Sequence, residues 1–210
     1  MLLANLPPPE LIGLLVALVL GLTFHEFSHA VVADQLGDHR PRALGRVSLN
    51  PLHHLDPLGS LFMLIAGFGW AKPVPVNAYA LRPGRIGLTM VAVAGPLANF
   101  AVALTFAFAF RILQLAGLLD AEFPRLLGYA IVYFNVALGI LNLIPIPPLD
   151  GYNVVLPLLP ARQAFVVQRY AQYGYLALLL LVLLSYGSAG GPLDWLFGAA
   201  GAIARFLTGA

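Results

Sequence analysis

The chain has 210 residues, 60% of them hydrophobic and only 10% charged, with a mean hydropathy of +0.87. Those shares exclude an ordinary water-soluble domain and predict one integral membrane domain over residues 1–210. The net charge of +2 is read as topology information, with no nucleic-acid partner expected, and the absence of cysteine excludes disulfides and thiolate metal ligands.

The first span is predicted over residues 11–33. Leu11 to Leu22 carries no charge, and the run has neither a basic leader nor a small-residue cleavage site, so it is not a cleavable signal peptide. Residues 34–57 form a loop with Arg40, Arg42 and Arg46. The apolar stretch 58–70 is too short to cross a bilayer and suggests a re-entrant or interfacial segment. Residues 71–81, AKPVPVNAYAL, alternate Val74 and Val76 between prolines and suit an extended edge strand. Further spans follow at 86–110, 127–147 and 171–187. Residues 188–191 break the last one, and 192–207 suit a short interfacial helix. Arg and Lys cluster in 34–57, 71–85 and 148–170, which places these segments in the cytoplasm and makes 58–70 return to the side it entered from. The fold class is therefore all-α, a polytopic transmembrane helical bundle with a re-entrant segment and a short β-like loop. A core over about 11–155 precedes a C-terminal span and tail at 171–210.

The chemistry is written inside the first span. His25, Glu26 and His29 spell H-E-x-x-H, whose histidines, four apart on one helical face, can reach one metal. Glu26 then stands beside the metal's water as general base. Ionisable groups at such depth are costly without partners, which favours function over a merely structural role. A catalytic zinc wants a third protein ligand. Asp34 is out of phase with His25 and is expected to face water. Asp150, which follows Pro145, Pro147 and Pro148 at the end of the third full span, shares the cytoplasmic depth of the motif and is the better candidate. A helix N-cap is its other possible role, and the two can coexist. Asn99 is read either as a polar contact beside the site, open to substrate, or as an interhelical hydrogen bond. Asn135 is read as helix-packing glue. His53 and His54 are expected to face water or headgroups rather than to hold a second metal.

HEFSHA, GPLANF at 95–100 and NLIPIPPLDG at 142–151 together resemble the site-2 protease family of intramembrane zinc metalloproteases. SLNPLHHLDPLGS followed by FGWAKPVPVN resembles its small prokaryotic branch. The resemblance covers most of residues 20–155. It implies one zinc per chain held by His25, His29 and Asp150, with Glu26 activating water. It also sets Asn142 near the active site, to hold the substrate backbone or the developing oxyanion. The implied activity is cleavage of peptide bonds in transmembrane segments of other membrane proteins, in a prokaryotic cell membrane with the site toward the cytoplasm. Membrane lipid surrounds the bundle. Unlike larger members of that family, this sequence shows no PDZ insertion or CBS domains, so selection of substrate by an appended domain is not expected. Val74, Val76 and Asn77 are candidates to pair with an unwound substrate. The competing readings are a divalent-metal transporter, which needs the ligands but not Glu26, and a pseudoprotease that binds membrane helices without cutting.

Overall fold

A computed structural model describes residues 8–66, 70–82, 84–118, 121–187 and 190–209. Residues 67–69 of the predicted re-entrant stretch lie outside the described residues. The protein is an all-α membrane bundle with four helical segments long and apolar enough to span, at Leu11–Gln35, Arg85–Leu115, Glu122–Asn142 and Ala161–Ser185.

Helix α1 (Pro8–Gln35) continues through the apolar run and the HEFSH turn. It stops at Gly37, whose φ of 113° is open to glycine. Gly37 N–H donates to Asp34 C=O and Asp38 N–H to Ala33 C=O, the paired bonds of a Schellman stop. A short helix α2 (Arg40–Ala43) follows, then α3 (Pro57–Ala66). At 10 residues, α3 is only about 15 Å long, half the hydrocarbon thickness. Residues 72–77 run without regular structure. Among the described residues there is no β-strand, and the expected strand contributes only one isolated antiparallel bridge, Leu55 to Ala71. Prolines 73 and 75 withhold the donors a ladder would need.

Helix α4 (Arg85–Leu115) carries GPLANF at its middle, and α5 (Glu122–Asn142) returns antiparallel to it. The return helix ends five residues before the expected 147, because proline disfavours helical backbone at the preceding residue and Pro145, Pro147 and Pro148 lie just beyond. After that irregular stretch come α6 (Asp150–Val155), α7 (Ala161–Tyr170), α8 (Gly174–Gly187) and α9 (Asp194–Thr208). The fourth spanning segment is thus α7 and α8 joined through a 3₁₀ turn.

α1, α4 and α5 pack against one another, and α6 lies on α4. α9 corrects the interfacial expectation. It packs along α5 and α4, burying Leu196, Ala200 and Ala204 in one cluster with Ala103, Ala107, Val132 and Val136. Small residues let the helices approach closely where lipid supplies no hydrophobic drive. The Arg111 guanidinium donates to the C=O groups of Phe206 and Leu207, capping the end of α9.

Candidate metal centre

His25 and His29 lie one turn apart on α1, both buried, and their Nε2 atoms are 3.0 Å apart. Asp150 Oδ2 stands 3.0 Å from Nε2 of His25 and 3.3 Å from Nε2 of His29. Second hydrogen bonds fix the tautomers. His29 Nδ1–H donates to Val91 C=O (2.7 Å), which can only accept. His25 Nδ1–H donates to Asn99 Oδ1 (2.7 Å). The Asn99 amide is oriented in turn, since its Nδ2–H donates to Gly21 C=O (3.1 Å). With Nδ1 as the donor, each imidazole turns Nε2 toward a carboxylate oxygen that is itself buried with no hydrogen-bond partner. Three acceptors facing one another repel unless a cation sits among them. Ligands about 2.0–2.1 Å from a tetrahedral zinc stand about 3.3 Å from each other, close to the spacings here. The donor set fits the metal.

Backbone features bring these groups together. Gly95 of α4 faces both imidazoles, and a Cβ there would overlap His29 Nε2 and His25 Cε1. Asp150 is the first residue of α6, capped by Leu149 without a side-chain bond, so its carboxylate is free of helix capping. Thr89 of α4 reaches the far end of this short helix, and Arg85 reaches the 3₁₀ turn that follows it. Thr89 Oγ1–H donates to Val154 C=O (3.3 Å), and the Arg85 guanidinium donates to Leu159 C=O (3.2 Å). Together they tie the stretch that begins at Asp150 to the helix beside the histidines.

Glu26, also buried, lines a cavity of about 860 Å³ that includes His25, His29 and Asp150. Asn142, Val74 and Val76 line it too, as do Leu138, Leu141, Leu178 and Leu179. The volume is within the usual range of ligand sites. Asn142 Nδ2 donates one hydrogen to Leu138 C=O (3.0 Å), leaving its second N–H and its Oδ1 available.

Four expectations change. Asn99 is fully buried and acts on His25, away from the cavity, which favours the interhelical reading over substrate contact. It also meets Asn135, itself fully buried, at 3.4 Å. Asn77 does not line the cavity, and its N–H donates to Asp38 Oδ2 (2.6 Å), so that donor is closed to a peptide. Asp34 is buried instead of facing water. It accepts from the Arg42 guanidinium (2.8 Å) and contacts His39 Nδ1 (2.9 Å). His54 is fully buried with Nε2 against Ser48 C=O, whereas His53 stays exposed. The metal-ligand cluster found among the described residues is His25, His29 and Asp150, and neither His53 nor His54 belongs to it.

Two groups were invisible to sequence reasoning. Asp38 fastens the 71–77 stretch, and Asn153 lines the cavity. The only available signal was the spacing of three between Asp150 and Asn153, which places them on one helical face.

A family model described as peptidase family M50 matches residues 109–185, a range that includes Asn142 and Asp150. YwhC of Bacillus subtilis, named as a candidate zinc metalloprotease, is 36% identical over 179 residues, covering 83% of this chain and 82% of YwhC. The chain belongs to peptidase family M50. Rip2 of Mycobacterium tuberculosis, named in the same way, is 31% identical across 87% of this M50 chain and 72% of Rip2. MJ0611 of Methanocaldococcus jannaschii is 31% identical across 67% and 68% of the two chains. No solved structure matches this M50 peptidase at a significant level.

Proposed function

We propose that this M50 peptidase is an intramembrane zinc endopeptidase that cuts transmembrane segments of other membrane proteins. One observation carries the reading. Two imidazole Nε2 atoms and a carboxylate oxygen converge beside a buried glutamate on the wall of a cavity, and the histidines and glutamate belong to a membrane-spanning helix. His25, His29 and Asp150 would hold one zinc ion. When bound, zinc supplies a Lewis acid for the peptide carbonyl and acidifies a water at neutral pH. The Glu26 carboxylate takes that water's proton and returns it to the leaving amide nitrogen. Asn142, with one amide N–H still free, holds the substrate backbone or the oxygen on which charge develops.

A helical substrate must unwind locally, because its own hydrogen bonds close its backbone. Val74 and Val76, on the cavity wall, are the positions from which an extended peptide would be paired by strand addition. Residues 58–70 enter and leave on one side of the membrane. The Leu55–Ala71 bridge and the bond from Lys72 N–H to His54 C=O (2.7 Å), which hold the two ends together, support this. The basic residues flanking that stretch support a cytoplasmic site in a prokaryotic membrane. Residues 1–210 act as one domain, with the catalytic core over about 11–155 and α8 of the C-terminal span and tail at 171–210 completing the cavity wall through Tyr175, Leu178 and Leu179.

Metal analysis of purified protein is expected to give one zinc per chain. Glu26→Gln should keep that zinc and lose about 10²–10⁴-fold in cleavage of transmembrane peptides. A Glu26→Gln variant cutting near the wild-type rate would overturn the mechanism.

A further inference from the structure

Asn153 is a polar group on the cavity wall with no task in the metal centre. Asn99 and Asn135 bond within the bundle, and Asn142 already gives one N–H to Leu138. The half-buried Asn153 carboxamide has no hydrogen-bond partner among the described residues. A carboxamide offers two donors and an acceptor, the same complement as a peptide unit, and it is costly to enclose unpaired.

Its place is set by Asp150. Residues three apart on a helix share a face and are separated by about 4.5 Å along the axis. One residue of extended chain covers about 3.3 Å. A peptide that runs along this face of α6, with its scissile carbonyl at the point where His25, His29 and Asp150 converge, passes Asn153 one to two residues away. Val74 and Val76 line the same cavity from a different segment. We propose that Asn153 is a substrate-binding residue that pairs with the unwound backbone next to the scissile bond and so fixes the cleavage register. Backbone pairing of this kind is indifferent to side-chain sequence, which suits apolar transmembrane segments. The proposal rests on the peptidase reading above.

The test uses full-length protein in detergent and a synthetic poly-leucine transmembrane peptide of about 25 residues, interrupted by Asn-Pro and carrying a fluorophore. Binding is measured to Glu26→Gln and to Glu26→Gln/Asn153→Leu. Cleavage is measured with wild type, Asn153→Leu and Asn153→Gln, with products mapped by mass spectrometry. Asn153→Leu is expected to keep full zinc content, weaken binding and kcat/KM roughly tenfold, and spread the cut over neighbouring bonds. Asn153→Gln, which keeps the carboxamide, should restore part of the affinity. Unchanged affinity, rate and cut position in zinc-loaded Asn153→Leu would overturn the role of Asn153 alone. A wild type that neither binds nor cuts the peptide would overturn the peptidase reading, and this inference with it.

Discussion

Replacing Asn99 by leucine tests whether the carboxamide behind His25 governs the metal. The substitution keeps volume and removes three polar contacts: to His25 Nδ1 at 2.7 Å, to Gly21 C=O at 3.1 Å and to Asn135 Oδ1 at 3.4 Å. The last is long and contributes least. The first matters most, since losing it frees the imidazole to rotate and to move its proton onto Nε2, the atom that must ligate. Outer-shell partners of this kind typically control about 10–100-fold in metal affinity, which is about 1.4–2.7 kcal/mol. The Gly21 carbonyl loses a side-chain donor at the same site, which adds a stability cost of about 1 kcal/mol. Zinc affinity is read by competition with a fluorescent chelator, and folding by the detergent-solubilised melting transition. Wild-type zinc affinity in folded Asn99→Leu would refute the argument that this carboxamide fixes the His25 tautomer.

Gly95→Ala should lower zinc content more than a remote Gly→Ala change such as Gly198→Ala, because its Cβ meets both imidazoles while none of the neighbouring atoms is close to Gly198; equal zinc in the two variants would contradict this. The Arg40 guanidinium beside Asp38 holds its carboxyl down at about 2 from the ordinary 3.8. A lowered folded-state value means the clip on Asn77 is at full strength above about pH 4 and is lost as pH falls toward 2. Pepsin should therefore cut within 71–82 increasingly across that window, and already at its upper end in Asp38→Asn; a rate without pH dependence beyond that of pepsin itself would remove the clip. Leu52→Cys and Tyr79→Cys, at exposed positions flanking 58–70 in a chain without native cysteine, should both be labelled from the same face of the membrane. Labelling from opposite faces would mean that 58–70 crosses.

The convergence of the two histidines was legible because their spacing is itself the chemistry. A four-residue interval on a helix puts His25 and His29 on one face whatever surrounds them. Asp150 was legible less directly, through the agreement of its depth with theirs. Asn99 was not, because a carboxamide facing Nδ1 and one facing a cavity look the same in one dimension. Asp34 was misread for a related reason. Its partners His39 and Arg42 reach it only after the chain has reversed at Gly37. The burial of His54 depends on the 71–72 backbone coming back across its loop, a long-range event that local polarity does not announce. α9 was taken for interfacial because its length is short, yet its alanines and Gly201 fit the surface of α5, a match of shapes that hydropathy does not measure. The spans themselves were readable because each must bury its own backbone bonds in lipid.

The end of α1 holds the cavity wall as well as the two histidines. Leu36 C=O accepts from Arg82 N–H (2.8 Å), and Asp38 accepts from Asn77 N–H, on the same run of chain that bears Glu26 and His29. Leu36 follows Glu26 by ten residues, about 15 Å of helix. Adding one residue between them would advance the clip by about 1.5 Å and swing it by about 100° around the axis. The 71–82 stretch would then be carried off the side of the cavity that Glu26 faces. The interval from Glu26 to Asp38 therefore works as a ruler, tolerant of many substitutions but intolerant of an insertion or a deletion. A second, shorter interval of the same kind runs from Gly21, whose C=O holds the Asn99 amide, to His25, which that amide meets.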